Sequence, residues 1–219
     1  MRVSEKVILV VTSVEAERQA ILQGLKGDRR FDVVLGGVGS IAAGINTALA
    51  LAEKEYRLVI SAGIAGGFPN RAEVSSVVVA SEIIVADLGV ETLEGFTTIE
   101  TLGFGSNKVN TELTQGEKLI EALGNSGIVL HKGPILTVST VTGTQASANE
   151  LLKRVPNAVA EAMEGFGVAY AAQTKGIPVL EVRAISNLVG PRDRDVWKIK
   201  EALEALTVAS SKFSEVFFQ

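Results

Sequence analysis

The chain contains no cysteine and a single histidine, His131, in 219 residues. The first absence excludes disulfides and thiolate chemistry. The second excludes any site built on several imidazole ligands. His131 stands between Leu130 and Lys132 at the start of an apolar stretch, where an edge-of-strand residue is the simpler reading. A concentrated basic patch is also missing. Lys and Arg are scattered, the formal net charge is -4, and the tightest grouping, Lys26 to Arg30, includes Asp28 and reads as a solvated turn. Nucleic acid is therefore not an expected partner. No apolar run reaches the length of a membrane span, because glycines and charges interrupt each one. The first run, Val7 to Val11, meets Glu15 and Glu17 too soon for a signal peptide. A cytoplasmic location without a membrane partner is expected.

What is present suits one sizeable core. Hydrophobic residues make up 47% of the chain, and no linker, repeat or low-complexity tract divides residues 1–219. Lys6 to Val11 is a β-branched run short enough for a buried strand. Thr12 and Ser13 are cap-type residues before a helix over Val14 to Leu25, which ends at Gly27. Phe31 to Leu35 and Leu58 to Ala62 read as strands, and Ser40 caps a helix from Ile41 to Lys54. Val74 to Val85 is β-rich, whereas Asp87 to Glu112 has weak periodicity and reads as an excursion. Helices follow over Gly116 to Leu123, Gln145 to Arg154, Glu164 to Lys175 and Asp195 to Phe218, with strands over Gly133 to Val141 and Pro178 to Ile185. Strands alternating with helices predict a single α/β domain whose central twisted sheet is mostly parallel, with mixed edges and flanking helices.

Ligands of such sheets gather beyond the carboxyl ends of the strands. Six loops qualify: Thr12 to Glu17, Gly36 to Ser40, Ala62 to Phe68, Ser139 to Gln145, Ala162 to Gly165 and Ser186 to Arg194. Gly37-Val38-Gly39-Ser40-Ile41-Ala42 fits a dinucleotide fingerprint, but the next strand ends in Ser61, Ala62 and Gly63 without the acidic residue that holds a ribose. A tight strand-to-helix turn is favoured. Gly63 to Gly67 is either a close-approach segment or a sharp turn, and no lysine follows it in P-loop spacing. Glu15 and Glu17 favour a helix N-terminus electrostatically, which explains one of them. Glu164 opens another helix with the same ambiguity. The strand ending Arg183-Ala184-Ile185-Ser186-Asn187 delivers an amide, followed by Arg192, Arg194 and Trp197, a pattern that can grip a heterocycle with an anionic or aromatic group beyond it. Two carboxylates and an amide at one sheet edge suit cleavage of a glycosidic bond: one carboxylate activates water and another steadies the sugar.

In this order, Thr12 to Glu17, Gly37-Val38-Gly39, Ser61 to Gly67, Met163-Glu164-Gly165 and Arg183 to Asn187 resemble the motifs of nucleoside phosphorylases and nucleosidases over nearly the whole chain. Within that superfamily, Asn187 and the segment Gly190 to Trp197 look most like the futalosine hydrolases of menaquinone biosynthesis. The resemblance implies a nucleoside phosphorylase-like fold. It implies Glu17 as the group activating water, Glu164 on the ribose hydroxyls and Met163 under the sugar. Val141 and Thr142 would hold the purine, and Gly39, Ala65 and Gly66 would line the pocket. It implies a small-molecule nucleoside as partner, neither metal nor cofactor, and a homodimer or higher oligomer, with Leu93 to Val109 and its Phe96 and Phe104 as the candidate loop closing a neighbour's site.

Two positions depart from the adenine-releasing nucleosidases. They carry an aspartic acid where this chain has Asn187, whose amide offers a donor and an acceptor but no acid. Hypoxanthine is the leaving group implied, and futalosine the substrate. Arg192 or Arg194 would then pair with the carboxylate on the 5′ side of futalosine. The alternative is a local salt-bridged turn of Arg192, Asp193, Arg194 and Asp195. Trp197 reads as packing. Ala162 stands where many relatives have a second acid, and the neighbouring Glu161 is expected to face elsewhere. Only Arg18 could serve a phosphate near the first loop, so hydrolysis is favoured over phosphorolysis. The alternatives are a methylthioadenosine/S-adenosylhomocysteine or aminofutalosine nucleosidase, or a non-catalytic nucleoside- or NAD-binding module.

Overall fold

The computed structural model describes residues 7–218; Lys6 lies outside them. The first strand, β1 (Val7–Thr12), pairs in parallel with β2 (Phe31–Leu35) on one side and β3 (Tyr56–Gly67) on the other. Its side chains alternate between faces. Ile8 and Val10 pack with Ala20 and Ile21 of α1 (Glu15–Leu25) and with Ala202 and Leu206 of α6 (Ile199–Ser211). Leu9 and Val11 pack with Ala43 of α2 (Ser40–Glu53) and Ala169 of α5 (Gly165–Thr174). Both faces of the sheet are thereby covered, which is why the strand reads as a continuous apolar run.

The remaining strands close a ring. Strand β10 (Val179–Leu188) runs parallel to β3 and antiparallel to β4 (Val77–Val85), which runs parallel to β8 (Leu130–Thr137). Strand β8 is parallel to β9 (Ala160–Ala162), and β9 returns antiparallel to Gly66 and Gly67 of β3. The sheet is mixed and mostly parallel, as expected. Helices α3 (Leu113–Leu123), α4 (Gln145–Arg154) and α7 (Phe213–Phe217) complete the layers. Among the described residues, no helix is long and apolar enough to cross a membrane.

Several boundaries differ from the sequence reading. The glycine-rich run is no turn: β3 continues through Gly67 because β10 pairs with it as far as Leu188. Ser40 does not cap α2; the cap position is Gly39, at φ 90°. The expected strand over Gly133 to Val141 begins and ends earlier, so His131 lies inside β8, where it pairs with Glu73. The terminal helix starts only at Ile199 and breaks at Lys212 before α7. The excursion carries a hairpin, β5 (Gly89–Thr92) with β6 (Gly95–Thr98), and then β7 (Lys108–Asn110) on the edge of β4. The Lys26 to Arg30 turn is held by the Asp28–Arg30 ion pair and by Ser214 of α7.

Candidate active site

All six loops open onto one cavity of about 520 Å³. Glu17, Ala65, Gly66, Val141, Thr142, Met163, Glu164, Arg194 and Asn187 line it, as does Trp197. Two candidates are not in its wall. Gly39 acts from behind, donating its N–H to Glu164 Oε1 at 3.2 Å. Arg192 lies outside the cavity, exposed, with its guanidinium 5.0 Å from the Trp197 ring.

Glu17 is buried at the start of α1, and backbone donors fix it there. Its Oε2 accepts from Ser13 N at 2.9 Å, Ser13 Oγ at 2.5 Å and Val14 N at 3.2 Å. Its Oε1 accepts from Ile64 N of β3 at 2.8 Å. The capping carboxylate thus serves the helix start and also reaches the cavity, so the two readings of Glu17 are compatible. Glu15 is exposed and occupied by Arg18 and Gln19. Gly63 makes the arrangement possible: a Cβ there would stand 2.5 Å from Glu17 Oε1 and 2.7 Å from Arg183 Nη1.

Sequence reasoning gave no role to the residue that ties the acids together. Arg183, 1% exposed, donates from Nε to Glu181 Oε1 at 2.8 Å, from Nη1 to Glu164 Oε2 at 3.2 Å and from Nη2 to Ser61 Oγ at 3.2 Å. Burial works against its charge, but the carboxylates of Glu181, Glu164 and Glu17 more than offset this and hold its pKa above the usual arginine value. Burial pushes the Glu181 carboxyl up, opposed by Arg183, and Glu181 Oε2 has no hydrogen-bond partner among the described residues. A signal was available. Glu181 and Arg183 interrupt an apolar run that must be buried on both faces, where unpaired charge is costly.

Asn187 enters at the far end of β10. Its Nδ2 donates to Leu188 O at 3.0 Å, and its Oδ1 accepts from Ser186 Oγ at 2.8 Å, leaving one N–H for the cavity. Glu161 does not face elsewhere. It is 5% exposed, lines the cavity, and accepts from Thr142 N at 2.8 Å and from Thr142 Oγ1. The brief strand β9 turns it inward, which no periodicity could reveal. Nor is the arginine turn salt-bridged: among the described residues Arg192 and Arg194 form no ion pair, and both guanidiniums lie near Trp197. The excursion 93–109, with Leu93 and Phe104 exposed, does not line this cavity; its Phe96 stacks under Arg154.

A family model described as "Phosphorylase superfamily" matches residues 4–218. The futalosine hydrolase of Streptomyces coelicolor is 45% identical, with 95% of each chain covered. The chain belongs to the phosphorylase superfamily, among the futalosine hydrolases. The futalosine hydrolase of Acidothermus cellulolyticus is 43% identical over 90% of this chain and 86% of that one. The native structure of the futalosine hydrolase of Helicobacter pylori shares the fold, at a TM-score of 0.81 and 18% identity over 97% of each chain. Membership in the futalosine hydrolases agrees with a cavity lined by carboxylates, hydroxyls, an amide and Arg194, with the buried Arg183 bonded to Glu164 behind it.

Proposed function

We propose that the chain hydrolyses the N-glycosidic bond of futalosine, releasing hypoxanthine and dehypoxanthine futalosine. The observation carrying this reading is the shared cavity of Glu17, Glu164 and Asn187, in a chain 45% identical to a futalosine hydrolase. Glu17 takes a proton from water as its oxygen attacks C1′, the C1′–N9 bond breaks, and the electron pair leaves with the purine. Glu164, oriented by Gly39 N and Arg183, accepts hydrogen bonds from the ribose hydroxyls, with Met163 under the sugar. The free Asn187 N–H stabilises charge at N7 as the base departs. Ala65, Gly66, Val141 and Thr142 line the base side. Arg194 is the arginine that reaches the cavity and meets the 5′ carboxylate. Water is favoured over phosphate because Arg18 is engaged by Val33 O and Glu15 outside the cavity. The exposed Ile41 and Ile45 of α2, beside Tyr170 of α5, support a homodimer or higher oligomer.

The test is chromatographic identification of the base released from futalosine, its 6-amino counterpart and methylthioadenosine. Faster release of hypoxanthine from futalosine is expected. Faster release of adenine from methylthioadenosine would overturn the assignment.

A further inference from the structure

We propose that Glu181 is a positioning residue for this reaction: it aims the Arg183 guanidinium at Glu164 and limits how much of that charge reaches Glu17. The inference rests on the function proposed above, in which Glu17 is the base and Glu164 holds the ribose.

Glu181 does not line the cavity, whereas Glu17 and Glu164 do. It stands two residues before Arg183 on β10, so both side chains leave the same face of the strand. Val179 and Ile185 of that face pack with Phe166, Val168 and Ala169 of α5. Two charged residues thus occupy the middle of an otherwise apolar layer, and the layer is shaped to admit them. Gly165 opens α5, and a Cβ there would stand 2.3 Å from each carboxylate oxygen of Glu181. On the neighbouring strand, Gly63 is the partner of Arg183 and leaves room for its guanidinium.

The guanidinium is anchored on two sides. Glu181 Oε1 accepts from Nε at 2.8 Å, and Ser61 Oγ, on the strand partner of Glu181, accepts from Nη2 at 3.2 Å. These bonds fix the plane and present Nη1 to Glu164 Oε2 at 3.2 Å. The same nitrogen lies near Glu17: a Cβ on Gly63 would meet Nη1 at 2.7 Å and Glu17 Oε1 at 2.5 Å. One cation is shared by three carboxylates, two of them in the cavity.

Aiming alone does not require a carboxylate. An amide oxygen would also accept from Nε, and Glu181 Oε2 has no hydrogen-bond partner among the described residues. A fully buried charge with an idle oxygen costs stability. What the carboxylate adds is charge. Burial and the like charge of Glu164 work to neutralise it, opposed by Arg183 and by the positive end of α5, against which it lies. The charged groups facing it are therefore Arg183 on its own strand and Glu164 at the start of α5. Strand β3 supplies Ser61, and β4 pairs here through Val77, Val78 and Val79. Beyond Arg183 stands Glu17 of α1. Ionised, Glu181 offsets part of the Arg183 charge, so Glu17 keeps the affinity for a proton that a general base needs.

The experiment follows hypoxanthine release from futalosine against pH in the wild-type chain, in Glu181→Gln and in Glu181→Asp. Glutamine keeps an acceptor for Nε and removes the charge; aspartate keeps the charge one methylene further back. The acid limb of kcat/KM reports the essential base of the free enzyme. In Glu181→Gln the limb is expected to move to lower pH by about one unit, the scale of one unit charge removed from across a guanidinium. On the plateau kcat falls severalfold, because rate follows base strength only in part. Hypoxanthine binding is unchanged, since Glu181 lies outside the cavity. In Glu181→Asp the limb stays in place. A limb that does not move in Glu181→Gln, or that moves equally in Glu181→Asp, overturns the proposal. Loss of folding in both variants makes Glu181 a structural residue and overturns it as well. A wild-type chain that releases no hypoxanthine removes the proposed function itself, a failure visible before any variant is compared.

Discussion

Replacing Glu17 by glutamine separates its role in holding the fold from its role in catalysis. The carboxylate takes three donors on Oε2 and one, Ile64 N–H, on Oε1. An amide has one oxygen. Set in the Oε2 position, that oxygen keeps Ser13 and Val14 and turns the NH2 towards Ile64 N–H; the opposite flip confronts three donors. The first orientation wins and forfeits one hydrogen bond to a charged acceptor, about 1.5–3 kcal/mol. In a chain of this size each kcal/mol lowers the melting temperature by about 2–4 °C, so Glu17→Gln remains folded if the wild type has ordinary stability. Loss of the general base costs far more in rate, about 10²- to 10⁴-fold. The assay is kcat for hypoxanthine release from futalosine, alongside thermal denaturation and hypoxanthine binding. The expected pattern is a collapsed kcat with binding preserved within a few fold. A folded variant keeping more than about a tenth of wild-type kcat lies far outside the expected range and removes Glu17 as the base. Equal losses in rate and binding would reduce it to a structural cap.

Other perturbations probe neighbouring parts of the argument. Gly63→Ala places a Cβ 2.5 Å from Glu17 Oε1 and 2.7 Å from Arg183 Nη1, two groups pinned by other bonds. Misplacement of that order costs about 10²-fold in kcat, and a near-normal rate would show that the cluster tolerates displacement. Asn187→Asp supplies a proton donor suited to a departing adenine and should raise the 6-amino over 6-oxo kcat/KM ratio about tenfold or more, as one charged hydrogen bond allows; an unchanged ratio refutes its role in base selection. Asp28→Asn tests the tie between the α1–β2 turn and α7. Arg30 and Ser214 hold the Asp28 carboxyl well below the usual carboxylate range. A depressed folded-state pKa stabilises above the unfolded value of 3.8 and loses that stabilisation as pH falls towards the folded value. The variant should be less stable by about 1 kcal/mol at neutral pH, allowing for solvent screening at this partly exposed pair. The deficit should shrink below the ordinary carboxylate pKa, as followed by chemical denaturation against pH; a deficit independent of pH down to 3 would contradict the linkage.

How much of this could be read from the residues depends on the range of the forces involved. The strands β1 and β2 and helices α1 and α4 are written locally, in β-branched runs and helix-favouring segments, and their positions in the chain were legible within a few residues, although α1 is capped at Val14 and not at Thr12 or Ser13. Glu17 was legible only through the motif resemblance, because helix-start electrostatics alone does not separate it from Glu15; the structure makes it the N3 residue behind the Val14 cap. The run Gly63 to Gly67 was not, since glycine has weak strand preference by itself and only pairing with β10 and β9 extends the strand through it. Arg183 was half legible: a charge in a doubly buried strand demands partners, but nothing local says that they are Glu181, Glu164 and Ser61. Glu161 was lost altogether. It lies on a strand of only three residues, Ala160–Ala162, too short for any alternation to emerge, and its side-chain direction follows from hydrogen bonds to Gly66. The same glycine pairs with Asn187, so Glu161 and Asn187 are set on the cavity wall through a residue with no side chain. The polar lining of this cavity is therefore a property of register. A substitution that slips β9 against β3 by one residue would turn Glu161 out of the cavity without touching Glu17 or Arg183.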